Sequence, residues 1–251
     1  MRNFISEDDI EKAVLSKLKE EPFDYDVIMC DSSPDKRDDL NDGTGRSSKK
    51  ECVLPDVMLS SLISINPDIE REHIENIIRE LRQDYTGVDI TDVNYKLYNK
   101  IRNGIKVTLL RDGVEDFDFV KLIDFDNPEN NTFTAVSQMW ILGRFYYHRP
   151  DILLFVNGMP LVFIELKNSI VKVQEAYNKN LKSYLDDVPN LFAFNQICVL
   201  SNGFETKLGA FNATYEFFFE WLKTDDEKEK IDRKAILSAE DINNSSIKYL
   251  L

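Results

Sequence analysis

Arg149-Pro-Asp-Ile-Leu-Leu-Phe-Val-Asn-Gly-Met-Pro-Leu-Val-Phe-Ile-Glu-Leu-Lys-Asn168 holds two apolar runs around an Asn-Gly turn, and an Asn-Gly pair between such runs is a strong hairpin signal. Residues 151–156 and 161–167 therefore read as adjacent strands. Leu161 and Phe163 share a face with Glu165 and Lys167, while Val162, Ile164 and Leu166 occupy the other, because side chains alternate along a strand. Both faces are apolar, which places this strand in the interior of its sheet. Asp151, Glu165 and Lys167 are the exceptions. A buried charge costs several kcal/mol unless it is paired or binds a metal, so three of them at one end of two core strands call for a chemical reason.

Two carboxylates holding Mg²⁺ beside a lysine make a phosphodiester-cleaving arrangement. Asp151 and Glu165 are the metal ligands in that reading, with the Ile164 or Leu166 carbonyl as a further oxygen donor. Lys167 orients the attacking water or stabilises developing charge. The geometry imposes a condition. A strict two-residue turn pairs Asp151 with Ile164, on the wrong face, whereas a three-residue loop or a bulge sets Asp151 opposite Glu165. The structural alternative is an aspartate at a strand entry and a solvated Glu165–Lys167 pair at a strand end.

Composition sets limits. A chain of 251 residues, 43% hydrophobic and 30% charged, can bury one α/β core, with or without an appended subdomain. No apolar run approaches the roughly 20 residues that span a bilayer, and the first ten residues contain no secretory apolar segment. Cys30, Cys52 and Cys198 form no CxxC pair, which suits a reducing compartment, so a cytoplasmic protein is expected. His73 and His148 offer no metal pair. The net charge of −14 opposes tight DNA binding by the chain as a whole, because phosphate binding runs on Lys and Arg. A nuclease of this composition needs its DNA held by something outside the chain.

Elsewhere, helices are expected at 7–20, 55–65, 70–83 and 91–102, from apolar spacing and from starts at Ser6 and Pro55. Residues 31–50 read as a polar, mobile loop, 105–125 as strands, 127–131 as a turn and 132–141 as a strand. Lys172–Asp187 is expected to be helical, 195–200 a buried strand, and Tyr215–Leu222 an aromatic-rich helix. The order predicts an α/β fold with a mixed central β-sheet flanked by helices.

The stretch RPDILLFVNGMPLVFIELKNS resembles the PD-(D/E)xK nuclease core, and specifically the N-terminal region of the motor and endonuclease (R) subunit of type I restriction enzymes. VLPDVMLSSLISINPDI (53–69), DFDNPENNTFTAVSQ (124–138) and LKSYLDDVPNLFAFNQICVLSNG (181–203) extend the resemblance over most of the chain. It implies a restriction-endonuclease-like fold and a type I site-specific deoxyribonuclease using Mg²⁺. The implied domain spans 1–223, with a helical part at about 1–104 and a nuclease core at about 105–223. A charged linker and short helix at 224–251 lead toward motor domains, which carry the ATP binding. Asp151, Glu165 and Lys167 take the catalytic positions. The family's Q-x-x-x-Y falls on Asn180 and Tyr184, with Asn in place of Gln, and its first-helix acid is matched best by Glu11. The implied partners are double-stranded DNA and the methylase and specificity subunits.

Overall fold

The computed structural model describes residues 4–221, apart from residue 112; the expected linker and closing helix at 224–251 lie outside them. Helix α1 (Glu7–Leu18) starts at Ser6, whose hydroxyl accepts the Asp9 N–H while the Asp9 carboxylate accepts the Ser6 N–H. This reciprocal cap satisfies two donors at the helix start. After it come β1 (Asp26–Met29), α2 (Pro55–Ile65), α3 (Arg71–Leu81) and α4 (Ile90–Asn103). A hairpin, β2 (Ile105–Arg111) and β3 (Val114–Val120), forms its own two-stranded sheet. The rest of the chain supplies β4 (Phe133–Ser137), β5 (Ile141–Leu142), β6 (Tyr147–His148), β7 (Ile152–Val156) and β8 (Met159–Leu166). A π-helical turn (Ala176–Leu181) runs into α5 (Lys182–Asp187), and β9 (Ile197–Ser201), β10 (Thr206–Gly209) and β11 (Phe219–Glu220) close the described chain.

The central sheet has seven strands in the order β1-β4-β7-β8-β9-β10-β11. Its β1–β4 and β8–β9 pairs are parallel and the others antiparallel, so it is the mixed sheet expected. Helix α1 covers one face, burying Ile10, Val14 and Leu18 against Ala135, Ile152, Ile164 and Leu166. The other face packs Leu153, Phe155 and Phe163 against Leu181, Tyr184 and Phe192. A second core joins α2, α3 and α4 to Leu109 and Val120 of the small hairpin.

The β7–β8 turn resolves the register. Asn157 and Gly158 both have positive φ, 49° and 77°, which a two-residue turn between right-twisted strands requires. The turn alone would leave Asp151 opposite Ile164. The pairing instead shifts between Leu154 and Phe155, from Phe155↔Pro160 to Leu154↔Val162. Leu161 is the extra residue of a β-bulge. Beyond it Ile152 pairs with Ile164, and the next step sets Asp151 opposite Glu165.

Three expectations change. The strand expected at 132–141 ends at Ser137, because Gln138 turns left-handed at φ 55°. The helix expected at Tyr215–Leu222 is a 3₁₀ turn (Tyr215–Phe217) followed by β11, which pairs Phe219 with Leu208. Aromatic residues fit a pleated surface, and Phe218 is buried with its ring stacked on Tyr215. The 31–50 stretch is a loop, but its second half is built around Asp42, which binds the buried Arg46 and Lys49 side chains. Burial raises the Asp42 carboxyl, yet Lys49, Thr44 and Arg46 together outweigh it and hold the group at about 2.

The Asn157-Gly158 turn is a buried joint. Asn157 donates to the Leu122 carbonyl and Asn131 and accepts the Thr132 N–H. A Cβ on Gly158 would lie 2.5 Å from the Leu54 carbonyl oxygen and 2.7 Å from the Met58 nitrogen. Backbone strain and backbone collision therefore coincide. Gly158→Ala should destabilise by at least about 2 kcal/mol, read as a thermal midpoint lowered by roughly 4–8 °C. An unchanged midpoint would contradict this packing.

Candidate active site

Asp151, Glu165 and Lys167 meet at the end of the sheet where β7 begins and β8 ends. One Asp151 carboxylate oxygen accepts the Leu166 N–H at 2.6 Å. Glu165 is 2% exposed, and its Oε1 accepts from the Lys167 ammonium at 3.0 Å. The same ammonium donates to the Leu166 carbonyl at 2.7 Å. Glu165 Oε2 is buried with no hydrogen-bond partner among the described residues. A buried carboxylate oxygen left unpaired is costly unless it serves as a ligand.

Two buried carboxylates face one ammonium, and the Glu7 carboxylate adds to the negative field at all three groups. Burial and then the nearby Asp151 charge push the Glu165 carboxyl well above its ordinary range, against the pull of Lys167. Burial also raises Asp151, opposed by the Leu166 N–H and by Lys167. Lys167 moves up as well: burial lowers it, but the charge and hydrogen bond of Glu165 outweigh that. An oxygen-only donor pair of this kind suits a hard divalent cation such as magnesium. Among the described residues, no three Asp, Glu, His or Cys side chains converge as a closed metal cage.

Glu11 reaches this end of the sheet from α1, on the opposite face. Its two oxygens accept from the Ser137 hydroxyl at 2.5 Å and from the Gln138 amide at 2.8 Å. The same Gln138 nitrogen lies 3.2 Å from Asp151 Oδ1, and the Gln138 backbone N–H donates to the Asp151 carbonyl. Gln138 thus bridges two acids with a neutral donor. Burial raises the Glu11 carboxyl, opposed by those two hydrogen bonds. The sequence offered no mark for Gln138 beyond a polar residue ending an apolar run; its left-handed backbone aims it back at Asp151.

Tyr184 is buried, edge-on to Phe163 at 5.2 Å and tilted on His148 at 5.0 Å. Burial and then the Glu165 and Asp151 charges push its hydroxyl well above the ordinary range, which places it within reach of their field. Asn180 lies one turn earlier, half-buried, with no side-chain hydrogen bond among the described residues. His148 pairs with Asp187 at 2.7 Å.

The family model for the type I restriction enzyme R protein N terminus matches residues 4–217. The chain belongs to that family. It is 30% identical over 234 residues to the type I restriction enzyme HindI endonuclease subunit of Haemophilus influenzae, covering 91% of this chain and 21% of that protein. It is 27% identical to the putative MjaIXP endonuclease subunit of Methanocaldococcus jannaschii, covering 96% and 22%. The EcoprrI endonuclease subunit of Escherichia coli is 26% identical over 68% of each chain. This R-protein N terminus therefore spans about a fifth of the length of the first two relatives. No helix among its described residues is long and apolar enough to cross a membrane.

The raised Glu165 carboxyl gives a pH prediction. Its folded pKa lies above its unfolded one, so its contribution is complete below the unfolded value and is lost as pH rises through the folded value. In EDTA at pH 8, Glu165→Gln should raise the thermal midpoint by at least about 3 °C, with a smaller gain at pH 5. Equal midpoints at both pH values would mean that Glu165 is charged and balanced as it stands.

Proposed function

We propose that this chain is the nuclease domain of a type I restriction R subunit and hydrolyses duplex DNA with Mg²⁺ held by Asp151 and Glu165. The observation that carries the proposal is the pairing of those two acids with Lys167 at one sheet end, with Glu165 Oε2 buried and unpaired. Bound there, Mg²⁺ would make a coordinated water more acidic and offset negative charge on the scissile phosphate. Asp151 is held in place by the Leu166 N–H and the Gln138 amide. Glu165 fixes the Lys167 ammonium, which as a cation donates to a phosphate oxygen and stabilises charge as the phosphorus is attacked. Tyr184 and Phe163 wall the acids from solvent on one side and strengthen their field.

The net charge of −14 fits a domain to which DNA is delivered. We assign delivery to ATP-driven motor domains of the same subunit, with methylase and specificity subunits supplying the recognition. Asn180 favours one competing reading, a docking domain without catalysis: it stands where the resemblance implies glutamine, and its amide makes no hydrogen bond among the described residues.

Calorimetric titration with Mn²⁺ and Mg²⁺ separates the two. The unsubstituted chain should bind, with a short duplex present if phosphate completes the site, and Asp151→Ala and Glu165→Ala should each lose binding at least tenfold. Lys167→Ala should keep metal affinity within about threefold; this chain alone is expected to cut poorly or not at all, so its effect on cutting is read in the full-length subunit within its restriction complex, where plasmid cleavage should fall at least 100-fold, about 2.7 kcal/mol in the barrier. Metal affinity that ignores both acid substitutions would leave the docking reading.

A further inference from the structure

The pairing of β4 with β7 continues one step past Ser137↔Ile152, because the Gln138 N–H donates to the Asp151 carbonyl at 2.9 Å. Gln138 then bends the chain left-handed, at φ 55°. Glycine adopts that conformation without strain and glutamine does not. Among the described residues only Asp24 and Asn157 share a positive φ without being glycine. The three partners of the Asn157 side chain account for its place in the buried turn. A strained backbone held by its surroundings points to a functional group, and at Gln138 that group is the side-chain amide.

The amide is set between two acids of different elements. Its nitrogen lies 2.8 Å from Glu11 Oε2 and 3.2 Å from Asp151 Oδ1. Glu11 is buried, and its other oxygen accepts the Ser137 hydroxyl. The start of α1 is tied to the chain beyond β8 as well: the Glu7 carboxylate accepts the Asn168 N–H at 3.2 Å, and Ile5 and Ser169 exchange two hydrogen bonds. The amide is therefore braced by a docked helix. The consequence falls on Asp151. Its Oδ2 accepts the Leu166 N–H at 2.6 Å while Oδ1 accepts from Gln138. Both oxygens are held, one from β8 and one from the end of β4, which restrains rotation of the carboxylate. Glu165 differs, with Oε1 on Lys167 and no partner for Oε2 among the described residues.

We propose that Gln138 is a positioning residue that fixes Asp151 for a small divalent cation and so sets the preference of the site for Mg²⁺ over Ca²⁺. The inference rests on the metal-binding reading of Asp151 and Glu165 given above and adds the residue that tunes it. Mg²⁺ demands near-ideal octahedral geometry, whereas Ca²⁺ accepts more oxygens in a flexible arrangement, so ligand number and rigidity separate the two. A carboxylate held at both oxygens suits the first ion and hinders the second. Groups that orient a metal ligand from behind change metal affinity about 10–100-fold when removed. A neutral amide fits this place. A lysine or arginine would orient Asp151 but repel the cation, and a further carboxylate would repel both Glu11 and Asp151.

The test is calorimetric titration of the full chain with Mg²⁺ and, separately, with Ca²⁺, each with a short duplex present and against a duplex blank. Gln138→Met keeps the length of the side chain and removes the donor. Gln138→Gly removes the side chain and the backbone strain together, so a folded variant is at hand even where methionine is not tolerated. Thermal midpoints in EDTA check the fold of each. Either variant should weaken Mg²⁺ binding about tenfold or more and change Ca²⁺ binding by no more than about threefold, so that the preference for Mg²⁺ falls at least about threefold. A purely structural role would lower the affinity for both ions by the same factor. Equal losses for the two ions, or an unchanged Mg²⁺ affinity in a folded variant, would overturn the proposal. The metal-binding reading would still stand if the unsubstituted chain binds and Asp151→Ala does not. No binding of either ion by the unsubstituted chain, or binding that survives Asp151→Ala, would overturn both.

Discussion

A single inserted residue, Leu161, governs the chemistry of this domain. The β7–β8 turn is tight and would by itself put Asp151 and Glu165 on opposite faces of the sheet. The bulge at Leu161 restores one face to both. Side-chain direction alternates with strict period two, so no smaller adjustment could do this. The bulge is kept in place by what surrounds the turn: Asn157 is locked into three partners, and Gly158 lies against the start of α2. The helical part of the molecule thus sets the register that brings the two acids together, although it contributes no residue to the pair.

Once together, the two acids are short of one positive charge. Lys167 balances one of them, and Gln138 gives Asp151 and Glu11 a donor without a charge. The remainder is concentrated on Glu165, whose second oxygen is buried and unpaired. A fold selected for stability alone would place a donor or an apolar group there. In the proposed nuclease a bound cation would fill this deficit, and the apolar strands around the pair would magnify its field.

Much of this was legible in the sequence because it follows from period and polarity. Charges breaking two apolar runs marked the candidate site, face parity around Glu165 and Lys167 was correct, and the need for a three-residue loop or a bulge followed from counting residues. Ser6 and Pro55 marked helix starts for local reasons that tertiary contacts did not overrule. What stayed hidden depends on partners distant in sequence. Gln138 became a bridging residue only because its backbone turns left-handed beside an aspartate 13 residues away. Asp187 looked like the polar end of a helix, yet its carboxylate accepts the backbone N–H groups of Phe145 and Tyr146. The run from Tyr215 to Leu222 suggested a helix, but a free strand edge at β10 offered its aromatic residues a better surface.

The acidic composition and the cutting chemistry are compatible once gripping and cutting are assigned to different surfaces. A domain with 45 acidic and 31 basic side chains repels a polyanion at long range, but the Debye length at physiological salt is only about 8 Å. Inside that distance the local pattern decides, and beside the two acids it includes the Lys167 ammonium. In the proposed nuclease, repulsion at a distance and complementarity at contact would keep free DNA away and admit a duplex that is pressed against the site. In the proposed nuclease, this separation protects DNA that has not been delivered, and it does so without a lid or a conformational switch.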